Sequence, residues 1–162
     1  MNYRDKIMTL DQALTLRREF GGRGRLVFTN GCFDLLHPGH LRYLAEARSL
    51  GDFLLVGLNS DRSIRALKGP SRPVCPEAVR AEMLAGLEMV DAVVVFDQDT
   101  PLELIRALCP DILVKGGDWP VEQIVGASLV LERGGEVKSL QLAEGFSSSA
   151  LIERIGGGHG QR

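Results

Sequence analysis

Residues 25–40 read Arg25-Leu26-Val27-Phe28-Thr29-Asn30-Gly31-Cys32-Phe33-Asp34-Leu35-Leu36-His37-Pro38-Gly39-His40. An apolar run ends at Asn30, a turn follows, and Pro38 stands where a helix can begin, since its fixed φ and missing N–H suit a first helical turn. A strand that leads through a short loop into a helix is the opening unit of a parallel α/β sheet. The same rhythm recurs downstream, with strands expected at 25–30, 53–58, 92–96, 111–114 and 137–142. Helices are expected between and after them at 38–50, 76–87, 101–108, 121–133 and 148–155.

Short continuous apolar strands belong to a sheet covered on both faces. The expected fold is therefore α/β: a doubly wound, Rossmann-like parallel five-stranded sheet with helices on both faces. The 162 residues suit one domain, assigned to 1–155, with 156–162 as a flexible tail in which His159 has no role. A net charge of −2 argues against nucleic acid or a membrane surface held by bulk charge. Locally the balance differs: residues 62–80 contain Arg62, Arg65, Lys68, Arg72 and Arg80 against Glu77 alone, which suits a small polyanion. Three cysteines without a CxxC point to a reducing compartment and no zinc module. Thr9 and Gln12 form a capping box instead of a signal peptide, and no apolar run nears the ~20 residues of a membrane helix, so a cytoplasmic location is expected.

Residues 30–40 lie where a doubly wound sheet binds nucleotide, yet neither GxGxxG nor GxxxxGK[ST] occurs there. In their place stand His37 and His40, three residues apart and therefore on one face of the first helical turn. Free backbone N–H groups and the positive dipole end point the same way, a combination suited to phosphate. A solvated helix face, or a metal site shared with Asp34, are the other readings. No further Cys or His stands at a familiar spacing, and no protein-bound metal is expected.

His37-Pro38-Gly39-His40 resembles the HxGH motif of the nucleotidyltransferase superfamily, which includes the cytidylyltransferases and pantetheine-phosphate adenylyltransferase. Gly145-Phe146-Ser147-Ser148-Ser149 resembles that superfamily's second motif, with Phe146 in place of an aliphatic residue or Tyr. Together with the run from Thr29 to Asp34, Leu67-Lys68-Gly69, Arg72-Pro73-Val74 and Val114-Lys115-Gly116-Gly117-Asp118-Trp119, the chain is similar over nearly its whole length to the heptose 1-phosphate adenylyltransferases of lipopolysaccharide-core synthesis. Many of those are fused behind a sugar kinase, and this chain looks like the stand-alone form. Trp119 replaces the Tyr common in the heptose enzymes and matches cytidylyltransferases that activate glycerol 3-phosphate.

The resemblance implies transfer of AMP from ATP to D-glycero-β-D-manno-heptose 1-phosphate, with release of pyrophosphate, by a homo-oligomer. The alternatives are a CTP-dependent enzyme for a polyol or amino-alcohol phosphate, and a non-catalytic nucleotide-binding module. His37, His40 and Lys68 are implied as catalytic. Thr29, Asn30, Gly31, Cys32, Phe33, Gly39, Arg80, Lys115, Gly116, Gly117, Asp118, Ser147, Ser148 and Ser149 are implied to bind the nucleotide. Asp34, Asn59, Asp61 and Arg72 are assigned to the acceptor. Plainer readings accompany several of these: an N-cap for the serines, a solvated face for Arg80, a turn carboxylate for Asp34, helix capping for Asn59 and Asp61, and loop packing for Trp119. Lys68 and Arg72 lie in the proline-rich stretch 67–76, expected as an irregular loop that can close over a triphosphate. Mg²⁺ is expected to be held by substrate phosphates and water.

Overall fold

The computed structural model describes residues 2–157. A 3₁₀ turn (Tyr3–Lys6) leads into β1 (Ile7–Met8) and α1 (Leu10–Phe20). β2 (Leu26–Gly31), α2 (Pro38–Ser49), β3 (Phe53–Asn59), α3 (Asp61–Lys68) and α4 (Glu77–Ala85) follow. The chain continues through β4 (Ala92–Phe96), α5 (Leu102–Leu108), β5 (Ile112–Gly116), α6 (Ala127–Glu132), β6 (Glu136–Leu140) and α7 (Ser148–Gly157). Among the described residues, no helix is long and apolar enough to cross a membrane.

The sheet has six parallel strands, not five, in the order β1-β4-β3-β2-β5-β6. The strand missing from the sequence reading is β1, whose two residues pair with Val93 and Val94 at the edge and are too short to carry a periodicity. Directly after it, Thr9 and Gln12 close the expected capping box, the Thr9 hydroxyl accepting from Gln12 N at 3.2 Å and the Gln12 amide oxygen from Thr9 N at 2.9 Å. The helix expected over 121–133 is instead a 3₁₀ turn (Val121–Gln123) and α6, separated by Gly126 at φ +85°. Gly156 and Gly157 continue α7 instead of opening the tail, and His159 lies outside the described residues.

Adjacent strand residues face opposite cores, which is why the strands read as unbroken apolar runs. Val27, Leu54, Val56 and Val114 pack with Leu44 and Ala47 of α2 and Leu84 of α4. Phe28, Leu55, Val94 and Leu113 pack with Ala13 of α1, Leu104 and Leu108 of α5 and Val130 of α6. Each fully buried Leu, Val or Phe contributes roughly 1.5–3 kcal/mol. The order also creates a switch: from β2 the chain proceeds outward through β3 and β4, then returns to place β5 on the other side of β2. Ligands bind outside the carboxyl ends of strands at such a point.

Candidate functional site

A cleft of about 190 Å³ opens there, between Asn30 and Gly31 at the end of β2 and Lys115 and Gly116 at the end of β5. Its walls add Cys32, Phe33, His40 from α2, Lys68, Arg72 and Ser148. The loop leaving β2 is strained: Phe33 and Leu35 take φ of +45° and +54°, in the left-handed region that non-glycine residues seldom enter.

His37 precedes Pro38, the first residue of α2, and His40 lies one turn on. Their rings stack with centroids 3.8 Å apart and planes 22° apart. This packing explains Gly39, because a Cβ there would stand 2.9 Å from the His37 ring and 3.0 Å from the Phe146 Cβ. The His37 backbone N–H donates to Nδ1 of His40 at 3.3 Å. An Nδ1 that accepts carries no proton, so neutral His40 holds its hydrogen on Nε2 as a donor. Burial, with His37 and Lys68 nearby, pushes the His40 pKa down from 6.5 to about 4. Burial also lowers that of His37, whose own Nδ1 is buried without a partner.

Cations enter from two sides. Lys68, at the end of α3, and Lys115, on β5, line the cleft and have no carboxylate partner among the described residues. Arg72 comes from the irregular loop, its Nε 3.0 Å from Asp34 and one terminal nitrogen 3.5 Å from the Ser149 hydroxyl, while Nη2 is buried without a partner. The three serines begin α7 and face different neighbours. Ser147 accepts from Ala150 N as a helix cap, and Ser148 donates to the Leu35 carbonyl.

Several residues assigned to ligands are occupied by the protein itself. Thr29 is fully buried, its hydroxyl 2.5 Å from that of Tyr43. Asn59, 4 % exposed, gives its amide to Ser63 and its carbonyl to Arg80. Ser60 caps α3 in place of Asn59 or Asp61, and the Asp61 carboxylate pairs with Arg80 at 2.8 Å. Arg80 does not lie on the cleft surface. It is 1 % exposed and donates to the carbonyls of Cys32, Asn59 and Cys75 as well as to Asp61, tying together the loops after β2 and β3 and the start of α4. Asp34 is 2 % exposed and accepts from Arg72, Val74 N and Cys75 N. Burial pushes the Asp34 pKa up, but the backbone donors and Arg72 outweigh it and hold the carboxyl below its usual range.

Gly117, at φ +109°, turns the chain away from β5, with the Trp119 indole packed where a Cβ would be. Asp118 is exposed and does not line the cleft. Tyr43 and Leu142 line it without having been singled out in the sequence. Tyr43 could have been found from helical spacing, being one turn beyond His40 on the same face of α2. Its hydroxyl also reaches the Val114 carbonyl at 3.4 Å, and burial pushes its pKa up to about 12.

Residues 28–154, from the middle of β2 to the last turns of α7, match the family model described as Cytidylyltransferase-like. The chain belongs to the cytidylyltransferase-like family. It is 54 % identical over 151 residues to the Bifunctional protein HldE of Citrifermentans bemidjiense, covering 93 % of this chain and 31 % of that protein. The chain thus spans about a third of the length of the curated relatives it matches. Among solved structures, the lipopolysaccharide core biosynthesis protein of Thermoplasma volcanium shares 28 % identity at a TM-score of 0.59, over 74 % of this chain and 97 % of the other. The pantoate-beta-alanine ligase of Francisella tularensis shares the fold at a TM-score of 0.61 and 13 % identity, over 90 % of this chain and 72 % of that one. Both families of contact described above, the histidine stack and the cation-lined cleft, lie within the region matched to the cytidylyltransferase-like family.

Proposed function

We propose that the cleft transfers AMP from ATP to D-glycero-β-D-manno-heptose 1-phosphate, forming ADP-heptose and releasing pyrophosphate. The observation that carries this reading is the neutral His40, whose occupied Nδ1 leaves Nε2–H as its donor, on the wall of a cleft lined also by Lys68, Arg72 and Lys115. The similarity to a lipopolysaccharide core biosynthesis protein supports a sugar phosphate as acceptor.

A sugar phosphate is largely dianionic at pH 7, its second pKa lying near ~6, so its oxygen attacks the α-phosphorus without a general base. Catalysis then consists of holding the two substrates in line and stabilising the charge that builds on the nucleotide phosphates. His37 and His40 donate to those phosphates at the start of α2. Lys68 and Lys115 supply positive charge, Ser148 and the first turn of α7 receive the departing pyrophosphate, and Arg72 bridges from the loop. Gly31, Gly116 and Gly117 let the backbone approach the nucleoside. Arg80, Thr29 and Asn59 act beneath the site, and Asp34 at its wall, as the frame that fixes the loops.

Among the described residues, the only carboxylate lining the cleft is Asp34, with its oxygens already on Arg72, Val74 N and Cys75 N. The described residues of the cleft therefore offer Mg²⁺ no free carboxylate; as a hard cation it would travel with the phosphate oxygens of ATP.

The test is pyrophosphate release with heptose 1-phosphate and a panel of nucleoside triphosphates. ATP is expected to be used, and turnover with CTP alone would overturn the assignment. Under the same reading, His37→Ala and His40→Ala each lower kcat by roughly 10² or more with an unchanged circular dichroism spectrum.

A further inference from the structure

Phe146 is the residue at which the second motif departs from its superfamily, and the site described so far gives it no task. Its ring lies nearly parallel to that of His37 and offset from it, centroids 5.9 Å apart and planes within 17°. The Arg42 guanidinium covers Phe146 at 5.4 Å, and on the far side of His40 the Phe33 ring lies at 5.4 Å. Phe33, His40, His37, Phe146 and Arg42 are thus linked in sequence by ring contacts that join the loop after β2, helix α2 and the turn before α7.

Three features make this more than packing. The His37 Nδ1 is buried without a hydrogen-bond partner, so nothing fixes the ring at that atom. Gly39 leaves no room for even one carbon between His37 and Phe146. Phe146 itself is 38 % exposed, so it is not held there by a need to be buried in the core. We propose that Phe146 is a positioning residue for His37: backed by Arg42, its parallel, offset ring holds the imidazole in its stack on His40 and so fixes which ring edge meets the phosphates. This rests on His37 being a phosphate donor for its consequence in turnover, but the clamp itself does not.

The titratable and charged groups around His37 are the neutral His40 and the Arg42 guanidinium on its own helix, Lys68 of α3 beside His40, and Arg154 of α7. Arg154 lines the same cavity of about 300 Å³ as His37 and Phe146, and among the described residues no carboxylate lines it. Opening the stack to water therefore relieves the burial that lowers the His37 pKa without supplying a new counter-charge.

The test follows the imidazole Hε1 resonances of the ligand-free protein through a pH titration, alongside kcat and KM of the full chain. In Phe146→Ala the His37 signal is expected to lose its ring-stacking shift and to titrate closer to 6.5, with kcat down roughly tenfold from ring misplacement and KM for ATP changed less. Phe146→Tyr restores both readouts, and Arg42→Gln moves them in the same direction by a smaller amount. An unchanged His37 shift and titration in Phe146→Ala overturns the clamp. If the unmodified chain releases no pyrophosphate, the functional reading fails, and the titration still decides the clamp by itself.

Discussion

At the scale of single residues, the site is governed by close approach. Gly39 occupies the second position of α2, where alanine has the better intrinsic propensity by roughly 1 kcal/mol. Its missing Cβ is nonetheless required by the His37 ring 2.9 Å away. Gly39→Ala is therefore expected to leave the melting temperature within a few degrees of the parent while lowering kcat on the order of 10²-fold, the separation a merely structural glycine would not give. His40 also makes stability depend on pH. Unfolded, it takes a proton near 6.5; folded, only near about 4. Between those values unfolding takes up a proton, so this contribution weakens the fold as pH falls from 6.5 to about 4. Urea denaturation across that interval should show a smaller loss in His40→Gln, which cannot titrate there.

At the scale of elements, the proline-rich loop is held in place by a buried carboxylate from the opposite loop. Asp34 joins the turn after β2 to residues 72–75 through one guanidinium and two backbone N–H groups, with side-chain exposures of 1 % for Asp34 and 11 % for Arg72. Removing one partner of such a pair strands the other, at about 3 kcal/mol. Asp34→Asn is expected to lose on that order in denaturant titration and to make residues 69–76 readily cleaved by protease, with a raised KM for ATP because Arg72 sits on the freed segment and Lys68 at the helix end that leads into it. The depressed pKa of Asp34 has a matching sign: its contribution is present above the ordinary carboxylate pKa of 3.8 and lost as pH falls through the lower folded value. Because Asp34, Val74 and Cys75 are distant in sequence, the helix and strand pattern foretold an irregular loop but not its anchor.

At the scale of the whole molecule, Arg80 is the test of how far a family motif carries. Lying under three loops, with its donors on three carbonyls and Asp61, it holds together the segments that wall the cleft. Arg80→Met should cost about 3–5 kcal/mol in urea denaturation, since it leaves a carboxylate and buried carbonyls without their donor. A variant of undiminished stability that loses turnover would instead return Arg80 to direct phosphate contact. The sequence by itself determined the α/β class, the five longer strands and the placing of His37 and His40 at a helix start, because these rest on local periodicity, proline placement and neighbours one turn apart. The use made of each charge was decided only in three dimensions. Of the five cations in residues 62–80, Arg62, Arg72 and Arg80 are paired with Asp97, Asp34 and Asp61. Of the other two, Arg65 is exposed on α3, and Lys68 faces the cleft, joined there by Lys115 from β5. Net charge along a segment is additive and legible in order, whereas burial and ion pairing depend on which distant segments the fold brings within a few ångströms, and that is a property of the tertiary structure alone.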